Sequence, residues 1–154
     1  MKRSLLYILF LLLPTTLFAG SKPQQLRQKL DNLLEQRNAL IDNKNKDINR
    51  LKKNLTTSEN TLKRLQTYEQ LYEEYYVFQF DSAMTYLNKG IKLAKETQNT
   101  YYYNSNTISK AELLSIGGLY NEAIHEIEQV DTTVLDKGQH FEYYFSLFRI
   151  HTYW

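Results

Sequence analysis

The chain has 154 residues, 42% of them apolar and 14% aromatic, and it contains no cysteine. That much apolar material can bury a core, while the absent thiols exclude a disulfide framework, a zinc–thiolate centre, a cysteine nucleophile and an acylated lipoprotein cysteine. Nineteen Lys and Arg stand against 17 Asp and Glu, a net charge of +2, too even a balance for nucleic-acid binding driven by electrostatics.

The first twenty residues read as an address. Met1, Lys2 and Arg3 are followed by an apolar run over residues 5–13, a break at Pro14, and the small residues Ala19 and Gly20 before Ser21. This order predicts a secretory signal peptide cleaved after Ala19 or Gly20, and hence an exported, periplasmic protein. Residues 5–19 number fifteen, short of the roughly 20 that a spanning helix needs. Retention of the segment as a signal anchor is the competing expectation.

Pro23 is the last proline, and the long proline-free remainder points to an all-α fold. Residues 22–66 read as a helical lead-in or hairpin. Its aliphatics Leu26, Leu30, Leu33, Leu34, Leu40, Ile41, Ile48, Leu51 and Leu55 recur at helical intervals, which sets them on one face. The polar residues 43–46 either interrupt that helix or face water. Lys44, Lys46, Arg50, Lys52 and Lys53 alternate with Asp42 and Asp47, as on a solvated face. Thr56 with Glu59 matches a capping box opening the next helix, whose stripe continues through Leu62, Leu65, Tyr68, Tyr72 and Tyr75.

All aromatics beyond residue 22 lie at or after Tyr68. Asp81 is placed to cap a helix over residues 82–96. After a break at Asn99 and Thr100, a helix over 102–116 should stop at Gly117 and Gly118, where glycine takes the left-handed conformation. Further helices are expected over 121–130 and from Gln139 onward.

Internal repetition links these helices. The stretch from Phe80 aligns with that from Tyr120: Ala83 matches Ala123, Leu87 matches Ile127, and Gly90 matches Val130. Upstream of the second copy, Ala111, Leu114, Gly118 and Tyr120 occupy a first helix, its turn and the entry to the second helix. The pattern resembles the tetratricopeptide repeat, in which small residues let paired helices approach closely. Lys110 departs from it, standing where the repeat usually carries an aliphatic. Ala83 and Ala123 lie forty residues apart, longer than the usual period of about 34, so helices or loops must be extended. The resemblance implies antiparallel helix pairs stacked as a solenoid over residues 67–154, the last repeat incomplete.

More widely, residues 71–83, the continuation through Tyr86 to Lys95, and residues 119–123 resemble the periplasmic part of a bacterial family of membrane-anchored transcriptional regulators. The resemblance implies a signal peptide, tetratricopeptide-like helices, one transmembrane helix, a coiled coil and a cytoplasmic helix-turn-helix domain. This sequence shows no second hydrophobic span and no DNA-binding segment. Residues 143–154, rich in apolar and aromatic side chains, stand where a solenoid normally carries a polar cap. That ending reads as a truncated product with a helix face open to self-association.

No catalytic, cofactor or metal constellation emerges. His125 with Glu128 is one imidazole and one carboxylate, and His140 and His151 lie about three helical turns apart. Gly117 and Gly118 are followed by no phosphate-loop lysine. Glu73 with Glu74, and Glu122, Glu126 and Glu128, fit solvated helix faces. Tyr101, Tyr102 and Asn104 are the candidate contacts on the concave face, which the first helix of each stacked pair lines. The expected function is a non-enzymatic module without cofactors that binds a protein or peptide, with no nucleic acid contacted by this segment. The sensor part of a membrane-anchored regulator is the first reading, and a signal-anchored adaptor or oligomerisation protein at the membrane surface the second. Membrane contact would come only through the signal segment or the missing C-terminal part.

Overall fold

The computed structural model describes residues 21–153; the expected signal peptide lies outside them. Among these residues there are six α-helices and no strand: α1 (Ser21–Thr57), α2 (Thr61–Tyr76), α3 (Phe80–Glu96), α4 (Thr100–Ile116), α5 (Tyr120–Ile127) and α6 (Lys137–Tyr153), with a 3-10 turn at Thr132–Val134 before α6. No helix of the described residues is long and apolar enough to cross a membrane. The chain divides into two units, residues 1–43 and 44–154.

In the first unit, Leu26, Leu30, Leu33, Leu34, Leu40 and Ile41 of α1 are all exposed. Residues 43–46 do not break the helix, which runs unbroken to Thr57. Burial of the stripe begins in the second unit, with Ile48 and Leu51. The residue that opens α2 is Asn60 rather than Thr56. Asn60 has the extended backbone a cap requires and accepts a hydrogen bond from the Lys63 amide at 3.0 Å. Thr56 is still helical, and its hydroxyl donates to the Lys53 carbonyl at 2.7 Å. Leu62 is exposed, so the buried stripe of α2 starts at Leu65. Helix α2 runs straight across residues 66 and 67, so the expected boundary between lead-in and repeats is no break in secondary structure.

The second unit stacks its helices in chain order, α2 on α3, α3 on α4 and α4 on α5, and α4 also packs along α6. This is an all-α tetratricopeptide-like solenoid of antiparallel pairs. One core joins Ile48 and Leu51 to Leu71, Tyr72 and Tyr75 of α2, Ala83 and Leu87 of α3, and Leu113 of α4. A second joins Ile108, Ala111 and Leu114 of α4 to Ala123 and Ile127 of α5, Val130, Leu135, and Ile150 of α6. Ala83, Ala111 and Ala123 have no solvent exposure. At Gly90 a β-carbon would lie 2.9 Å from the Asn106 side chain, so glycine is what lets α3 reach α4 there.

The two helix-to-helix turns at the ends of α3 and α4 share one geometry. Gly118 has φ +77° and Gln98 φ +55°. The next amide reaches back in both, Leu119 N to Leu114 O at 2.9 Å and Asn99 N to Ala94 O at 2.8 Å, closing a Schellman-type end. Helix α3 starts at Phe80 behind an uncapped Gln79. Asp81 therefore sits inside the first turn, where a carboxylate favours the helix dipole, and is not the expected cap. Tyr120, the first residue of α5, is half-buried.

Two stability effects follow. Gln98→Gly relieves a left-handed non-glycine residue and is expected to stabilise by about 0.5–1 kcal/mol, read as a higher urea midpoint. Ala123→Leu forces a larger side chain between α4 and α5 and is expected to cost about 1–3 kcal/mol in the same titration.

Candidate functional site

Helices α2, α4 and α6, the first helices of successive pairs, line an open groove of about 730 Å³. Helix α4 forms its floor. Tyr101, Ser105, Ile108 and Glu112 recur at steps of three and four, which places them on one face, and all four line the groove. Helix α2 contributes Glu69 and Glu73, and the start of α6 contributes Asp136, Lys137, Gln139 and Glu142.

Two polar clamps hold the walls in place. At one end Gln139 Nε2 donates to the Tyr101 carbonyl at 2.9 Å and to Ser105 Oγ at 2.7 Å. Gln139 is itself fixed by a reciprocal cap: its amide donates to Asp136 Oδ1 at 2.8 Å, and the Asp136 amide donates to Gln139 Oε1 at 3.4 Å. The final helix consequently begins at Lys137, two residues before the expected start. At the other end Glu112 accepts from the Tyr76 hydroxyl at 3.0 Å and from Arg149 Nη1, so one carboxylate joins α2, α4 and α6. Lys110, the departure from the repeat pattern, is mostly buried and reaches Glu126 on α5 at 2.6 Å. A charged pair there replaces the usual aliphatic contact.

The groove is negative. Five carboxylates and one lysine line it, and Glu69, Glu73 and Glu142 make no salt bridge among the described residues. Burial, reinforced by the neighbouring Glu73, raises the Glu69 pKa above its ordinary value. Burial, reinforced by Glu112, raises the pKa values of Tyr72 and Tyr76 behind the wall, so both phenols are neutral at physiological pH. The groove thus offers three carboxylates without a salt-bridge partner among the described residues, the aromatic face of Tyr101 and the hydroxyls of Ser105 and Ser109.

Of the three expected concave-face contacts, only Tyr101 is in the groove; it is 51% exposed. Tyr102 turns into a small core with Leu65 and Ala94. Asn104 is 1% exposed, and among the described residues its side-chain amide has no hydrogen-bond partner. Successive helical residues are about 100° apart, so Tyr101 and Tyr102 cannot share a face, while Asn104, three residues from Tyr101, lies at the buried edge of that face. The carboxylates were the missed signal. Glu69 and Glu73 stand one helical turn apart on α2, a spacing visible in the sequence, but which neighbour that turn faces was not. Glu74 points elsewhere, pairing with Lys44 at 3.0 Å. Among the described residues no group of three His, Asp or Glu side chains is placed to hold a metal.

The raised Glu69 pKa has a definite sign. The folded state holds its proton more tightly than the unfolded chain, so Glu69 lowers stability as pH rises from the ordinary glutamate range through the raised value. Glu69→Gln is therefore expected to raise Tm at pH 7 and to change it less at pH 4, as read by thermal melts at both pH values.

A family model described as the SusR N-terminal TPR domain matches residues 34–154. No curated protein and no solved structure matches the chain. The family match covers both helix pairs, α6 and most of α1, and TPR domains are modules of protein interaction rather than catalysis. The chain therefore belongs to the SusR N-terminal TPR domain family.

Proposed function

We propose that this helical-repeat module is the periplasmic sensor part of a membrane-anchored transcriptional regulator, and that it binds a protein or peptide partner in the groove between α2, α4 and α6. The groove carries the reading. Its unpaired carboxylates Glu69, Glu73 and Glu142 favour a partner segment bearing Lys or Arg, while Tyr101 and Ile108 offer apolar area to the stems of such side chains. Glu112 stays committed to Tyr76 and Arg149, so it shapes the site and leaves the outer carboxylates to meet the ligand.

Membership of a SusR-type family supports the regulator role. The cationic, apolar, then small-residue order of residues 1–20 supports export. The module supplies recognition alone, and the transmembrane and DNA-binding parts implied by the family resemblance would carry the output.

Two measurements test this reading. Protein recovered from the periplasmic fraction is expected to begin at Gly20 or Ser21; recovery only from the cytoplasm, with Met1 retained, would refute export. A fluorescent decalysine peptide is expected to bind at low salt, decaglutamate not. Glu73→Lys with Glu142→Lys is expected to weaken decalysine binding roughly tenfold or more with the helical signal unchanged. Equal binding of decalysine by the wild type and this variant would remove the groove from the mechanism.

A further inference from the structure

The groove has a length and a spacing that its occupant must match. Helices α2, α4 and α6 run in the same direction along it. Leu65 packs with Tyr102 early in α2 and α4, and the Tyr76 hydroxyl donates to Glu112 further along both. Gln139 bonds Ser105, and Arg149 bonds Glu112, in the same order along α6 and α4. These links fix which residues stand level. Counted back from Tyr76 and Glu112, Glu69 is level with Ser105, and Glu73 with Ser109. Counted back from Arg149 and Glu112, Glu142 is also level with Ser105.

The three carboxylates therefore form a stagger. Glu69 and Glu142 stand at one level on opposite walls, and Glu73 follows Glu69 by one helical turn, about 6 Å. All three line the groove and make no salt bridge among the described residues. The lysine of the lining, Lys137, opens α6 beside Asp136. It lies about 7.5 Å before the level of Glu142, toward the Tyr101 end.

An extended chain has the same repeat. Its successive side chains leave on opposite sides, and residues i and i+2 on one side are about 6.7 Å apart. Side chain i then meets Glu69, i+1 meets Glu142, and i+2 meets Glu73. With its side chains turned to the walls, such a strand presents its backbone amides and carbonyls to the floor, where they need polar partners. Ser105 and Ser109 stand on that floor one helical turn apart, close to the spacing at which a strand repeats those groups. A helical partner spends its backbone groups internally and leaves both hydroxyls unmet. From Tyr101 to Glu112 the floor is about 16 Å long, which holds about five extended residues.

We propose that the groove takes an extended segment with three consecutive basic side chains, the outer two bound by Glu69 and Glu73 and the middle one by Glu142. This rests on the groove reading given under the proposed function, and adds to it the partner's conformation and its basic pattern.

Two fluorescein-labelled alanine peptides of equal charge test the pattern, one carrying Lys-Lys-Lys and the other Lys-Ala-Lys-Ala-Lys. On a strand the spaced lysines all fall on one side and miss Glu142; on a helix they fall on both sides. Fluorescence anisotropy at low salt is expected to give the contiguous peptide roughly fivefold tighter binding. Glu142→Gln is expected to remove that difference by weakening the contiguous peptide alone, with the fold kept because Glu142 is exposed. Equal binding of the two peptides, tighter binding of the spaced one, a preference that survives Glu142→Gln, or failure of both where decalysine binds would each overturn the proposal. The groove reading itself stands through any of those results as long as Glu73→Lys with Glu142→Lys weakens decalysine binding. Decalysine binding unchanged by that pair would refute the groove reading, and this inference with it.

Discussion

Close approach between helices is the constraint on which the second unit rests. Ala83, Ala111 and Ala123 are fully enclosed, and Gly90 leaves no room for a methyl group beside Asn106. Where side chains are this short, backbones come near enough for Leu87, Leu113, Ile127 and Ile150 to fill the spaces alongside them. The turns serve the same end. Gln98 and Gly118 take the left-handed conformation that reverses the chain sharply after α3 and α4, so each following helix starts already against its neighbour.

The groove is a consequence of that stacking. Alternate helices fall on the same side, and their outward residues converge across the concavity. What keeps the concavity open and in register is polar: Gln139 ties α6 to the start of α4, and Glu112 ties α2, α4 and α6 near the other end. Buried polar links of this kind specify geometry more than they add stability. The negative potential arises because Glu69, Glu73 and Glu142 make no salt bridge among the described residues and five carboxylates face one lysine, a state that burial makes costly at Glu69 and that a positively charged ligand would relieve.

Much of the architecture was legible in advance. Helical periodicity, the Ala83 and Ala123 register, and the glycine stop after α4 are local properties of the chain, and they identified the repeats and their order. The local signals that failed were capping signals. Thr56 and Asp81 both have suitable side chains, yet α1 runs on past Thr56 and α3 begins before Asp81. A cap depends on where backbone helicity stops, which packing on neighbouring helices shifts by a few residues. The same limit applied to Tyr101, Tyr102 and Asn104: the triplet was visible, but the facing of each residue was set by what lay on either side of α4.

The amino-acid sequence by itself determined the helical class, the paired repeat and the absence of thiol chemistry, because periodicity and composition act over a few turns of chain. Tertiary structure decided which carboxylates share a groove and which tyrosine reaches it. Those outcomes join Glu69, Tyr101, Glu112 and Gln139, residues far apart along the chain, and their convergence depends on how successive helices rotate against one another. Small side chains permit that rotation, and only the assembled stack fixes it.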